Sequence, residues 1–467
     1  MNIIDAIDDP LVFAKHFRGD TWGAWRVFLC ALFGLPMSDA AQLELYRKHT
    51  GRSSPPSAPL HEGWLICGRR SGKSVMLACI AVFLAAFRDW RPFLGPGEIG
   101  TIMIIAADRK QSRVIMRYCL GLLRAVPMLK QLIEAQTAES ITLRNRVVIE
   151  VHTASFRSTR GYTIVAGLLD EVSFWPVDES SSSPDVEVLN AIRPGMSTIP
   201  GAMLLCASSP YARRGALWDA HRKHFGKDGD PTLVWQAATR EMNASVSQSV
   251  IDAAMEENQP RAMAEWSAQF RVDVESFVSR EAVHLCVALD VHERAPMSSM
   301  WYYGFVDPSG GSADSMTLAV GHREDDVVVL DALRERKPAF SPEDVVSEFA
   351  ELLKSYRITE ITGDRYAGDW PRERFREHGV SYEPAQKPKS DLYRDLLPAI
   401  NSRKLDLLEH PRLLTQLVSL ERRTARGGRD SIDHAPGAHD DLANAVAGLC
   451  GCTRRKYAYD SSLSWVG

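Results

Sequence analysis

Six short, continuously apolar runs separated by helical stretches constrain this chain more than any other feature: GWLIC (63–67), TIMIIAA (101–107), RVVIEVH (146–152), TIVAGLLD (163–170), AMLLCASS (202–209) and TLVWQAA (232–238). Runs without polar alternation suit strands covered on both faces, and helical separations suit parallel crossovers. They predict an α/β domain with a mostly parallel sheet over 61–245. Residues 1–60 read as helical stretches carrying Trp22 and Trp25, closed by the turn-rich connector GRSSPPSAPL (51–60). Residues 248–275 read as one helix inside a helical linker, 246–298, and a second unit fills 299–467. That unit opens with MWYYGFVDPSGG, continues through TLAVGHR, DVVVLDALRER and SPEDVVSEFAELLKSY, and reaches RITEITGD. The order is three strands in a meander, a helix, then a fourth strand.

Fifty-five basic against fifty-nine acidic residues leave a formal charge of −4, so any surface for nucleic acid has to be local. The candidates are Arg422, Arg423, Arg426 and Arg429 in ERRTARGGR, and Arg454, Arg455 and Lys456 near the C-terminus. They suit either DNA phosphates or plain solvent. Eight cysteines without a CxxC pair read as reduced thiols. The start, MNIIDAIDDP, has no signal-peptide pattern. The longest apolar run, Val75 to Phe87, is shorter than the ~20 residues that span a bilayer. It reads as a buried helix, and the chain as cytoplasmic and without a membrane partner.

CGRRSGKS (67–74) joins the strand GWLIC to the apolar helix VMLACIAVFL. Backbone amides of Gly68, Arg69, Arg70, Ser71 and Gly72, with the helix N-terminus, would surround phosphates. Lys73 would reach the β and γ oxygens of ATP, and the Ser74 hydroxyl would bind Mg²⁺. Cys67 stands where the strict pattern has glycine, so the loop is a variant. The strand IVAGLLDE (164–171) ends in two acids: Asp170 to hold the Mg²⁺ and Glu171 to orient and deprotonate the attacking water. A strand that merely ends at solvent is the plainer reading. Ser208 and Ser209 suit either a γ-phosphate sensor or a helix cap. Arg69, Arg70, Arg157 and Arg160 are candidate sources of positive charge for the transferred group, with surface or structural roles as the alternative for each.

A second set of acids ends later elements: Asp307 in GFVDPSGG, Asp364 in ITGD, and Asp440 and Asp441 in HDDLANAVAGLC. Carboxylates converging from strand and helix ends repel unless a hard cation neutralises them. Two Mg²⁺ or Mn²⁺ ions ~4 Å apart would clamp a phosphodiester, which makes this unit a candidate nuclease. Helix capping by Asp440 and Asp441 and a strand-end turn at Asp307 are the competing explanation. Asp314, Asp331, Asp369 and His439 are second-line candidates.

This constellation, GRRSGKS, LLDE, a serine-bearing third motif, then FVDPSGG, ITGD and HDDLANA, is similar to the large terminase subunit of tailed bacteriophages and prophages over about residues 20 to 450. The resemblance implies an N-terminal P-loop ATPase of the additional-strand class and a C-terminal RNase H-like metal nuclease. It carries Lys73, Ser74, Asp170 and Glu171 onto ATP hydrolysis. Asp307, Asp364 and one of Asp440 or Asp441, with a lean to Asp441, go onto metal binding. It further implies double-stranded DNA, a portal protein and a small terminase subunit as partners, a homo-oligomeric ring compatible with a monomer in solution, and the cytoplasm of a bacterial host. Two other readings compete: a P-loop DNA helicase or remodelling ATPase with a silent RNase H-like domain, and a non-catalytic capsid or portal adaptor.

Overall fold

The computed structural model describes residues 1–37, 39–154, 161–175, 184–311, 314–364, 370–424, 430–435 and 438–453. They form two compact units that divide at Asp273/Val274.

In the first unit each of the six short apolar runs becomes a strand. The strands are β1 (Glu62–Cys67), β2 (Gly100–Ala106), β3 (Ile133–Gln136), β4 (Ser140–Leu143), β5 (Val147–Thr153), β6 (Thr163–Asp170), β7 (Met203–Ser208) and β8 (Thr232–Ala237). Their order across the sheet is β3-β4-β5-β2-β6-β7-β1-β8. From β5 to β8 all pairs are parallel, while β3 and β4 form an antiparallel margin. Strand β7 therefore stands between β1, which leads into the GKS loop, and β6, which carries the acids. Such an inserted strand defines the additional-strand arrangement expected above. The run from Val75 lies in the helix Lys73–Phe87, whose residues Met76 to Ala85 are buried. The helical segment before the connector belongs to the first unit: Phe13, Phe17, Trp25 and Phe28 share one core with Leu65, Leu77 and Trp235.

The single helix expected over 248–275 is two, Gln248–Glu257 and Gln259–Ser267. Asn258 breaks it, since its side chain accepts from the Arg261 amide at 3.1 Å and Pro260 lacks an amide for the preceding turn. The segment 246–298 is also not one linker. Its helices Gln248–Glu257 and Gln259–Ser267 belong to the first unit, while β9 (Val274–Ser276), the short helix Arg280–His284 and β10 (Val287–Ala288) belong to the second, where both strands find their pairing partners.

The second unit is built on β11 (Tyr302–Asp307), β12 (Met316–Glu324), β13 (Val327–Arg336), β14 (Glu360–Gly363), β15 (Ser381–Pro384) and β16 (Leu405–Leu408), in the order β10-β16-β13-β12-β11-β14-β15. β11, β12 and β13 are the antiparallel meander, and β14 and β15 follow parallel to β11. Counted from β11, the central order is third, second, first, fourth, fifth, which is the RNase H-like arrangement expected. A smaller sheet, among the described residues, joins β9, β17 (Leu420–Thr424) and β18 (Asp430–His434). The helix Asp441–Cys452 packs on β11 and β12. It comes close because Gly448 has no side chain: a Cβ there would lie 2.3 Å from the ring of the fully buried Phe305.

Overpacking at that contact should be costly. Gly448→Val is expected to destabilise the chain by about 1–3 kcal/mol, read as a lower denaturant midpoint. An unchanged midpoint would show that the helix does not rest on Phe305.

Candidate active sites

Parallel strands bring their C-terminal ends to one edge, and the adjacency of β6, β7 and β1 gathers the three loops that follow them. Lys73 is buried there. Its ammonium donates to the carbonyls of Cys67 at 3.0 Å and Gly68 at 3.2 Å and to Ser209 Oγ at 3.1 Å, and lies 3.6 Å from Glu171 Oε1. The Ser74 hydroxyl donates to Asp170 Oδ2 at 3.2 Å, while Asp170 Oδ1 is buried with no hydrogen-bond partner. Burial, and then the charge of Glu171, push the Asp170 carboxyl up to about 7, against the opposing pull of Lys73 and Ser74.

Glu171 sits at φ +52°, uncommon for a residue with a Cβ. That backbone turn aims its carboxylate back over the strand ends, where Oε2 accepts from Ser208 Oγ and from the Ser209 amide, each at 3.3 Å. The two serines thus join the lysine and the acid. They do not cap the helix Gly215–His224, whose Ala216 amide donates to Asp185 Oδ2 at 2.7 Å.

The variant loop has a steric explanation. Cys67 is the fully buried last residue of β1, and the close approach falls one residue later. A Cβ on Gly68 would lie 2.2 Å from Thr239 Oγ1 and 2.7 Å from the Trp266 carbonyl. Beyond it the loop is held from outside: Thr239 Oγ1 donates to the Arg69 carbonyl at 2.8 Å and Asn243 Nδ2 to the Arg70 carbonyl at 2.7 Å. The Arg69 guanidinium is paired with Glu265 at 3.2 Å. Trp25 Nε1 donates to the Ser71 carbonyl at 3.0 Å, and the Ser71 hydroxyl is buried without a partner. Gly72, at φ +101°, leads into the helix. Trp25 is thus a packing and loop-fixing residue, and Trp22 packs edge-on against Phe17. Arg157 and Arg160 lie outside the described residues.

In the second unit Asp307, Asp364, Asp440 and Asp441 line one cavity of about 870 Å³. Asn444 Nδ2 bridges two of them, donating to Asp307 Oδ2 at 2.8 Å and to Asp364 Oδ2 at 3.3 Å. Burial pushes the Asp307 carboxyl up to about 8; the Asn444 bond opposes this and the neighbouring acids add to it.

The two adjacent acids differ in their partners. Asp440 is neutralised: Lys389 Nζ lies 2.8 Å from its Oδ2, and the Tyr393 hydroxyl donates to the same oxygen at 2.8 Å. Asp441 Oδ2 is buried without a hydrogen-bond partner, and burial followed by the charge of Asp440 pushes its carboxyl up to about 6. Nor does capping account for the pair. Asp440 makes no side-chain cap bond, and the free amides of Leu442 and Ala443 donate instead to Gln416 Oε1 at 2.8 and 3.1 Å.

Asp314 and His439 line the same cavity, 3.9 Å apart. Asp331 does not: it is buried on β13 against His322 Nδ1 at 2.6 Å, neither in the cavity nor facing water. Arg422 is paired with Asp430 and Arg423 with Glu421, at 2.7 and 3.0 Å, so neither is an unbalanced charge. Asp369, Arg426, Arg429, Arg454, Arg455 and Lys456 lie outside the described residues.

Asn444, Lys389, Tyr393 and Gln416 were not anticipated from the sequence. Asn444 had a signal, because three residues beyond Asp441 is the same helical face. The others reach the site from helices distant in sequence, with nothing local to mark them.

No family model matches this chain, and no curated protein matches it. Among solved structures it is similar to the large terminase of bacteriophage HK97, at 16% identity and TM-score 0.42, covering 97% of this chain and 99% of that one. It is also similar to a large terminase from a thermophilic bacteriophage, at 13% identity and TM-score 0.36, covering 86% of this chain and 96% of that one. The large terminase nuclease of a second thermophilic phage, G20c, aligns at 16% identity and TM-score 0.34, covering 38% of this chain and 97% of that one. The functional reading therefore stands on the geometry of the two sites.

Proposed function

We propose that this chain is a viral DNA-packaging motor that hydrolyses ATP in its first unit and cuts DNA with divalent metal in its second. One observation carries the reading: a phosphate loop and its acids, on a sheet with an additional strand, precede a carboxylate cavity on an RNase H-like sheet in the same chain. The motif order is the one that resembles large terminase subunits. The reading brings with it double-stranded DNA as substrate, a portal protein and a small terminase subunit as partners, a ring on a procapsid, and the cytoplasm of a bacterial host. Among the described residues no helix is long and apolar enough to cross a membrane.

In the first unit Lys73 would bind the β and γ oxygens of ATP, and Glu171, held by Ser208 and Ser209, would take the proton of the attacking water. Ser74 and Asp170 would hold a divalent cation, and in the second unit Asp307, Asp364 and Asp441 would do so. The chemistry of the donors fits: Asp170 Oδ1 and Asp441 Oδ2 are hard oxygens, buried without partners, at strand and helix ends. A bound cation would supply Lewis-acid charge to phosphoryl and phosphodiester oxygens. Asn444 would keep Asp307 and Asp364 at a fixed separation whether or not DNA is present.

Two activities of the full chain test the reading: DNA-stimulated ATP hydrolysis and Mn²⁺-dependent plasmid nicking. Glu171→Gln should lower ATP hydrolysis by roughly 100-fold or more and spare nicking. Asp307→Ala should abolish nicking and spare ATP hydrolysis. Nicking undiminished in Asp307→Ala would leave a helicase or remodelling ATPase, and a parent chain with neither activity would leave an adaptor.

The aspartate pair gives a finer test. Asp440→Asn removes a carboxylate that faces Lys389 and Tyr393, so its nicking loss should stay within roughly 10–100-fold. Asp441→Asn should lose more. The opposite ranking would make Asp440 the ligand.

Metal binding should also show in the pH dependence of stability. Burial raises Asp170 to about 7, Asp307 to about 8 and Asp441 to about 6, from 3.8. Raised carboxyls contribute stability that is complete below the unfolded value and is lost as pH climbs through the folded one. A cation binds the ionised form and reverses that loss. The increase in Tm on adding Mg²⁺ should therefore be larger at about pH 8 than at about pH 5. An increase that does not change with pH would exclude these three groups as ligands.

A further inference from the structure

A lysine in the first turn of a helix works against the helix dipole, which favours anions at that end. Lys389 is such a residue, opening the helix Lys389–Asn401, whose Pro388 cap gives no side-chain bond. Its ammonium is not turned out to water. It lies 2.8 Å from Asp440 Oδ2 and 3.2 Å from Asp433 Oδ1, at the wall of the carboxylate cavity. Tyr393, one turn on in the same helix, donates to Asp440 from the same side. One helix therefore delivers both partners of a buried carboxylate.

The surroundings show what the ammonium replaces. Asp433, His434 and Asp440 offer ligand atoms that all lie within 4.8 Å of one another, a set able to hold a metal ion. His434 Nδ1 is 2.9 Å from the Ala435 carbonyl and donates to it, so Nε2, 3.8 Å from Asp433 Oδ1, is the ring nitrogen left to face an ion. Without Lys389 this face of the cavity would be an acid-imidazole cluster with the donor types that hold a divalent ion.

We propose that Lys389 is a built-in cation of the cavity: its ammonium takes the place of a divalent ion at Asp433, His434 and Asp440, and so confines the metal to the side of Asp307, Asp364 and Asp441. Lys389 is then a positioning residue that sets how many metals the cavity takes and where. The inference rests on the reading of the cavity as a metal nuclease.

The test counts bound Mn²⁺ in the full chain without nucleotide, by the paramagnetic resonance signal of the free ion, in the parent and in Lys389→Met, Lys389→Gln and Lys389→Arg. The Met and Gln variants should each bind one more Mn²⁺ per chain than the parent, and the Arg variant the same number as the parent. Adding Asp433→Asn to Lys389→Met should remove the extra ion. Two substitutions of different shape guard against misfolding of either one. Counts equal to the parent in both Met and Gln variants would overturn the inference. The nuclease reading fails separately, if Asp307→Ala binds as many Mn²⁺ ions as the parent.

Discussion

A carboxylate held out of water without an ion pair of its own is the constraint around which both units are arranged. Burying an ionised acid costs several kcal/mol unless something pairs with it, and commonly the group keeps its proton instead. Asp170, Asp307 and Asp441 are in that situation, each with its carboxyl pushed up first by burial. A fold that needed only stability would place apolar or neutral side chains at these strand and helix ends. Keeping acids there makes sense when a cation is part of the working state, because the same desolvation that penalises the bare carboxylate strengthens its grip on a metal.

Each unit also carries an ammonium of its own beside its acids, and the two are held differently. Lys73 is fixed chiefly by neutral oxygens, the carbonyls of Cys67 and Gly68 and the hydroxyl of Ser209, with Glu171 farther off at 3.6 Å. Its charge is thus only partly spent on the protein and remains available to an anionic ligand. Lys389 is held between two carboxylates, Asp433 and Asp440, so its charge is spent on them. The same side-chain chemistry neutralises acid in one place and, on the proposed reading, would attract phosphate in the other.

The sequence was most informative where one strand carries the chemistry. An apolar run ending in acids, as in TIVAGLLD before Glu171 or GFVD at Asp307, states both the buried strand and the group at its tip, because β-periodicity fixes where the chain leaves the sheet. It was least informative where partners arrive from elsewhere. Asp440 and Asp441 are adjacent and chemically identical, and what separates them, Lys389 and Tyr393 against an unpartnered Oδ2, comes from a helix that no local pattern connects to them. The break at Asn258 followed known capping chemistry, but the apolar spacing on either side masked it. The division of 246–298 between the units was hidden for a related reason: β9 and β10 are too short to show a period, and only pairing with β17 and β16 makes them strands.

The helix Asp441–Cys452 shows how packing reaches into the chemistry. Asp441, Asn444 and Gly448 recur at three and four residue steps, so they lie along one face. Gly448 seats that face on Phe305, a residue of β11 two positions before Asp307. Asn444, one turn nearer the helix start, bonds to Asp307 itself and to Asp364 at the end of β14. Asp441 stands one turn further, its backbone carbonyl fixed by the Thr317 hydroxyl at 2.9 Å. A shift of the helix along β11 would therefore move Asp441 and Asn444 relative to Asp307 and Asp364. The position of Asp441 relative to the other two acids follows from how closely a glycine lets a helix approach an aromatic ring, so Gly448, outside the carboxylate cavity, governs the cavity's geometry.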